Sequence, residues 1–353
     1  MRLAYAPYEL IFKKPAGTSR GVLLKKKTYF LRYRDERNPG KAGYGEAALF
    51  EGLSPEEKLD YEGKLRELSA DTAAGRETDI SEYSSIIFGM EQARADLSNR
   101  GKGIYYPSPF TEGQTTIQIN GLIWMGSKQE MIERIEAKIR EGFRCIKIKI
   151  GAIDWDEELS LLQLVRELTD GKEIDLRVDA NGAFTEEDCE QKLNDLSRFG
   201  LHSIEQPIKA GQRDFLRHLC RISPVPIALD EELIGIKDEK ERDDLLDFVR
   251  PQYIVLKPAL CFGFSGASSW IRLAERKRIG WWITSALESS VGLDAIAQFT
   301  GRMKLPMAQG LGTGNLYTNN LPSPLKLESD RLIMNSRTDI FHKELEKLEW
   351  IEM

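Results

Sequence analysis

Cys145-Ile146-Lys147-Ile148-Lys149-Ile150-Gly151 is the stretch on which the reading of this chain turns. Alternation at period two puts Ile146, Ile148 and Ile150 on one face of a strand and Lys147 and Lys149 on the other. Gly151 ends the run. Two ammonium groups side by side on a core strand repel, and burying either without a partner costs on the order of several kcal/mol. Acidic groups must face them, and they have to come from other strands.

Around this stretch, from residue 115 onward, short β-rich runs alternate with helical patterns. The strand candidates are 117–123, 145–150, 175–179, 203–205, 226–230, 253–257, 281–285 and 306–309. Helical patterns fill the gaps at 128–141, 157–169, 186–199, 214–222, 239–248, 265–278 and 293–301. Eight strands alternating with helices predict a parallel β/α barrel of about 200 residues. An open doubly wound sheet is the alternative, but no GxGxxG follows a strand and no GxxxxGK[ST] occurs.

Residues 1–112 read as a separate α+β unit. Runs at 3–5, 21–24 and 28–33 predict antiparallel strands, with 44–48 closing the sheet. Ser54-Pro55-Glu56-Glu57 predicts a helix start, running to about residue 70, and a second helix spans about 81–100. Ala16-Gly17-Thr18-Ser19-Arg20-Gly21, rich in small residues, reads either as a lid over a site or as an ordinary hairpin loop. The tail, 320–353, is expected to return to this first unit as an extra strand.

In a parallel barrel, chemistry sits at the C-terminal ends of the strands. The second strand offers Lys147 and Lys149, the third Arg177, Asp179 and Asn181, the fourth Glu205, the fifth Asp230 and the sixth Lys257. The seventh leads into Ser285-Ala286-Leu287-Glu288-Ser289. From Lys149 to Asp179, Glu205, Asp230 and Lys257 the steps are 30, 26, 25 and 27 residues, each one βα unit. Three carboxylates converging from adjacent strands would repel unless a hard cation joined them. Mg²⁺ takes about six oxygens, which leaves about three positions for substrate and water. The expected chemistry is removal of a proton α to a substrate carboxylate by a lysine kept neutral by nearby positive charge.

Bulk properties agree. With 41% hydrophobic and 30% charged residues the chain is of globular type, and a net charge of −6 disfavours nucleic acid or an anionic membrane as partner. No apolar run reaches the roughly 20 residues of a membrane-spanning helix, and Met1 to Tyr8 lacks a signal-peptide pattern. The cysteines, 145, 189, 220 and 261, form no CxxC pair, which fits free thiols in a reducing cytoplasm rather than a zinc site. Of the three histidines, His202, His218 and His342, the first is expected to be structural, and Trp281-Trp282 to pack between barrel and helices.

These motifs resemble the enolase superfamily, in its muconate-lactonising-enzyme-like branch, and within it the o-succinylbenzoate synthase family of menaquinone biosynthesis. The resemblance rests on Lys147-Ile-Lys149, Arg177-Val-Asp179-Ala-Asn181-Gly, Glu205-Gln-Pro207, Asp230-Glu231, Lys257-Pro258, Glu288-Ser289-Ser290-Val-Gly292-Leu and Gln309-Gly310-Leu-Gly312-Thr313. It covers about 120–315 strongly and 1–112 more loosely. It implies a (β/α)7β TIM-like barrel at 113–319 with an α+β capping domain at 1–112. It also implies Mg²⁺, with Mn²⁺ as a substitute, on Asp179, Glu205 and Asp230. Lys149 is then the base and Lys257 the stabilising cation on the opposite face. Lys147 and Asn181 support the metal and the substrate carboxylate, Arg177 orients this polar cluster on the substrate side, and Ser285, Glu288, Ser289, Gly312 and Thr313 shape the succinyl pocket. The substrate is a small carboxylate, 2-succinyl-6-hydroxy-2,4-cyclohexadiene-1-carboxylate, which loses water to give 2-succinylbenzoate.

A dipeptide epimerase or N-acylamino acid racemase shares nearly all these motifs. Dipeptide epimerases usually carry Asp-x-Asp at the last strand, where this chain has no acid. A mandelate-racemase-like enzyme needs a His–Asp pair where this chain has Lys257. A barrel that only binds a ligand would be expected to lose a base or a metal ligand.

Overall fold

The computed structural model describes the chain except residues 19, 20, 38, 39, 171, 172, 336 and 337, together with the side chains of 17 and 18. The turn of the expected lid therefore lies outside the described residues. On either side of it the chain is a long hairpin, β1 (Arg2–Thr18) against β2 (Gly21–Arg34), paired up to Thr18 and Gly21. β3 (Ala42–Ala47) adds to β2.

Pro55 opens only a short 3-10 turn, Pro55–Lys58. The helix α1 (Tyr61–Ala74) begins later, where the Asp60 side chain accepts the Gly63 amide, and it ends at Gly75 with φ 69°. α2 (Ser84–Ser98) packs so closely on β3 that a Cβ at Gly45 would lie 2.1 Å from the Gly89 carbonyl. Leu3, Tyr5, Leu31, Leu65, Ile86 and Met90 form the core beneath.

The barrel follows. The first expected strand is two pieces, β4 (Ile117–Gln118) and β5 (Gly121–Ile123). The chain crosses at Ile119-Asn120 from a small sheet at the barrel's base into the barrel itself, because Gln118 is held by Asp330 while Asn120 pairs with Gln309. Then come α3 (Lys128–Arg140), β6 (Cys145–Lys149), α4 (Trp155–Leu168), β7 (Asp175–Asp179), α5 (Cys189–Ser197), β8 (Ser203–Glu205), α6 (Arg213–Ile222) and β9 (Ile227–Leu229). α7 (Glu239–Val249), β10 (Tyr253–Leu256), α8 (Gly263–Lys277), β11 (Gly280–Ile283) and α9 (Ser290–Gly301) complete it.

β5 to β11 form one parallel sheet of seven strands in chain order. The expected eighth strand is instead a pair of single bridges, Thr284 with Gly310 and Ile119 with Gln309, which join the two edges of the sheet. Gly310 lies flat on Thr284, where a Cβ would come within 2.3 Å of its hydroxyl. Gln309 exchanges backbone hydrogen bonds with Gln118 and Asn120 on one flank, and Gly310 with Ile283 and Ser285 on the other.

Outward residues such as Ile146 and Ile148 pack with Ile135, Leu162 and Val165 from α3 and α4. Trp281 belongs to this layer, but Trp282 points into the barrel with Ala228 and Val255, so the expectation for the pair held only for the first.

The tail divides. β12 (Leu325–Glu328) and β13 (Arg331–Met334) form a hairpin on β4, while β14 (Ile351–Glu352), after the short α10 (His342–Leu345), pairs with β1. No helix among the described residues is long and apolar enough to cross a membrane.

Candidate active site

The period-two alternation in β6 is what aims the two lysines. With Ile146 and Ile148 taken up by the helices, Lys147 and Lys149 can only face the barrel interior, where both are at least nine-tenths buried. The next strands supply their partners in register. Lys149 pairs with Asp179 across β6 and β7, and Asp179 with Glu205 across β7 and β8. Lys147 Nζ lies 2.6 and 2.7 Å from the two Glu205 oxygens and 2.9 Å from Asp179 Oδ2. Lys149 Nζ lies 3.1 Å from the same Asp179 oxygen and 2.6 Å from Asn181 Oδ1. Lys257, just past β10, is in direct contact with Asp230.

The strand ends turn sharply and are fixed by hydrogen bonds. Asn181, two residues past the end of β7, and Gln206, the residue after β8, have φ of 45° and 39°, values that non-glycine residues rarely adopt. The turn brings the Asn181 amide to 3.0 Å from Asp179 Oδ1, and Gln206 Oε1 accepts the Asp230 amide at 3.1 Å.

The electrostatics follow from this crowding. Burial opposes charge on Lys147, but Asp179 and Glu205 outweigh it and hold the lysine above its ordinary pKa. Burial also works against Asp179, yet Lys147 and Lys149 keep it well below the usual carboxylate range. The stress of the cluster falls on Glu205, which burial and then the Asp179 charge push up. Lys257 is raised against its burial by Asp230, Glu231 and Glu205.

One cavity gathers most of the expected site. Lys147, Lys149, Asp179, Asn181, Glu205 and Lys257 line it on one side, and Ser285, Gly312 and Thr313 on another. Asp230 stands behind Lys257, in contact with it. Arg177, Glu288 and Ser289 do not line it, contrary to expectation. Arg177 points to a deeper layer, where its guanidinium lies 4.2 Å from the Trp282 ring and donates to the Ala308 carbonyl. Glu288 is wholly buried and accepts the Ala286 amide at 2.7 Å. Ser289 caps α9 and donates its hydroxyl to Glu46 Oε2 at 2.6 Å.

Sequence reasoning missed Phe50 and Leu53 from the first unit and Asn120, Leu122 and Trp124 from the barrel's first strand, all of which line the cavity. The last three share one face at period two, a face that also carries Gln118, so the polar Asn120 does not stand out in the sequence.

Among the described residues no three acidic, imidazole or thiol groups form a closed metal-ligand set. Ammonium groups take that place instead, with Lys147 between Asp179 and Glu205 and Lys257 on Asp230. The donor chemistry still fits a hard divalent cation. The three carboxylates stand on successive strands, each at most 2% exposed, with only cations or amides as partners.

Residues 130–328 match the family model described as enolase C-terminal domain-like. The chain belongs to the enolase superfamily. Among its superfamily relatives, the o-succinylbenzoate synthase of Desulfotalea psychrophila is 46% identical, over 94% of this chain and 98% of the relative. The crystal structure of MenC from the same organism superposes with a TM-score of 0.81 at 41% identity, over 94% of this chain and 99% of that one. An L-Ala-D/L-Glu epimerase of Francisella tularensis subsp. novicida is more distant, 27% identical over 66% of this chain and 63% of the relative.

Proposed function

We propose that the protein dehydrates 2-succinyl-6-hydroxy-2,4-cyclohexadiene-1-carboxylate to 2-succinylbenzoate, as an o-succinylbenzoate synthase of menaquinone biosynthesis. The observation that carries this reading is one cavity with Lys149 on β6 and Lys257 beyond β10, four strands apart around the barrel, and a carboxylate cluster between them. The near full-length likeness to the Desulfotalea psychrophila enzyme supports the choice of this reaction over epimerisation.

Asp179, Glu205 and Asp230 would hold a divalent cation, in our reading Mg²⁺ with Mn²⁺ able to replace it. When bound, that cation supplies positive charge to the substrate carboxylate as it gains electron density. The cavity's own residues do the rest. Lys149 Nζ takes the proton α to the carboxylate, and the electron pair moves into the resulting enediolate. Lys257 presents its charge to the opposite face of the ring. Lys149 then returns the proton to the departing hydroxyl on the face from which it came. The C–O bond breaks, water leaves, and the ring becomes aromatic. Lys147 and Asn181 hold the carboxylates and Lys149 in position. In the same reading, residues 1–112 cap the barrel formed by 113–319, and the tail from 320 serves both. The enzyme acts in the cytoplasm.

The test is to assay the purified protein with Mg²⁺ on the cyclohexadiene substrate beside a panel of dipeptides and N-acylamino acids. Dehydration at a kcat/KM of about 10⁴ M⁻¹s⁻¹ or more, well above any epimerisation, is expected. Faster epimerisation of a dipeptide would overturn the reading.

A further inference from the structure

The cavity has two unlike sectors. Strands β6 to β10 contribute its charged wall, with Lys147, Lys149, Asp179, Glu205 and Lys257. The remaining wall, from Thr284 and Ser285 through Gly310 to Thr313 and on to Asn120, Leu122 and Trp124, carries no ionic side chain among the described lining residues. Within this neutral wall nearly every polar side chain is already committed. The Ser285 and Thr313 hydroxyls bond each other at 2.6 Å, and the Thr284 hydroxyl donates to the Gly310 carbonyl at 2.9 Å.

Asn120 is the exception. It is 4% exposed and its Oδ1 is buried with no hydrogen-bond partner. Only its backbone is engaged, through the amide donated to Gln309. A carboxamide carries two donors and an acceptor, and leaving a buried polar group unpaired is costly enough that such groups are rare. Gly312 lies beside Asn120 in the same wall, where a Cβ would sit 3.6 Å from both the Asn120 backbone carbonyl oxygen and Ile119 Cδ1.

We infer that the Asn120 carboxamide is a direct substrate contact that binds oxygen atoms of the non-reacting succinyl arm and so contributes to substrate choice. This rests on the dehydration reading above. With the reacting end held among the lysines, the arm must extend into the neutral sector. Of the described side chains there that hold both a donor and an acceptor, Asn120 is the one that makes no hydrogen bond through any side-chain atom, whereas the hydroxyls are each already paired. An amide can bond a ketone or carboxylate oxygen without adding a charge that would compete with Lys149 and Lys257 for the reacting carboxylate.

The experiment compares wild type with Asn120→Leu, which keeps the bulk and removes the polar atoms, and with Asn120→Gln as a polar control. With Mg²⁺ present, two ligands are titrated: 2-succinylbenzoate, which has the arm, and benzoate, which lacks it. Steady-state dehydration is measured alongside. For Asn120→Leu the expected result is a roughly tenfold weaker Kd for 2-succinylbenzoate and a similar rise in KM. Benzoate affinity should stay unchanged and kcat within a fewfold, with Asn120→Gln recovering part of the loss. Unchanged 2-succinylbenzoate binding, or equal weakening of both ligands, would overturn the inference. If wild type itself fails to dehydrate the cyclohexadiene, the functional reading falls instead. If wild type works and the variant matches it, only this inference falls.

Discussion

Glu288 is a carboxyl group wholly buried in the protein. One oxygen accepts the Ala286 amide and the other has no hydrogen-bond partner. Burial pushes its pKa up to about 7, with Lys26 working against the rise and Glu46 adding to it. The folded protein therefore holds a proton that the unfolded chain gives up near the ordinary carboxylate value. The associated stability is full below that value and is lost as pH rises through about 7. Between pH 5 and 7.5 the melting temperature of wild type should fall relative to that of Glu288→Gln, and parallel profiles would contradict this. His202 works in the opposite sense. It stacks on Tyr253, and burial followed by the Arg177 charge lowers its pKa to about 4. Its contribution is present above the ordinary histidine value and is lost as pH falls through about 4, so His202→Gln should flatten the acid side of the stability profile.

At the scale of elements, the junction between β3 and α9 ties the two parts of the molecule together. Glu46, wholly buried, accepts from the Ser289 amide and hydroxyl, the Gly292 amide and the Thr28 hydroxyl. A carboxylate at the first turn of a helix also suits the dipole. The loop it anchors carries Ser285, Ala286 and Leu287 into the cavity. Glu46→Ala should cost about 3 kcal/mol in urea unfolding, because it leaves buried donors unpaired, and should raise KM as well. A loss under about 0.5 kcal/mol would show that the junction is not a tie. Such a contact could not be read from sequence, since it joins residues some 243 positions apart. The same reason explains why Glu288 and Ser289 were expected in the cavity: their motif marks the loop but not which of its side chains turn inward. The lysines, Asp179, Glu205 and Lys257 were legible because strand periodicity and βα spacing both point one way. Asn120 was not, because the first strand breaks at that residue.

At the scale of the whole molecule, the barrel brings three carboxylates and three lysines to one end, and the first unit closes over them with Phe50 and Leu53. Chelation by EDTA should abolish dehydration and leave the fold intact, with Mg²⁺ or Mn²⁺ restoring activity. Full activity in chelator would remove the carboxylates from the role proposed for them. The most direct measurement of the role of Lys149 is kcat/KM for the cyclohexadiene substrate with Mg²⁺, in wild type against Lys149→Ala, with the Kd of 2-succinylbenzoate measured in both. With Lys149 as the base, kcat/KM should fall about 10³-fold or more in the variant while product affinity stays within a fewfold. Dehydration within tenfold of wild type would show that Lys149 is not the base, and that the charged wall of the cavity does some other work.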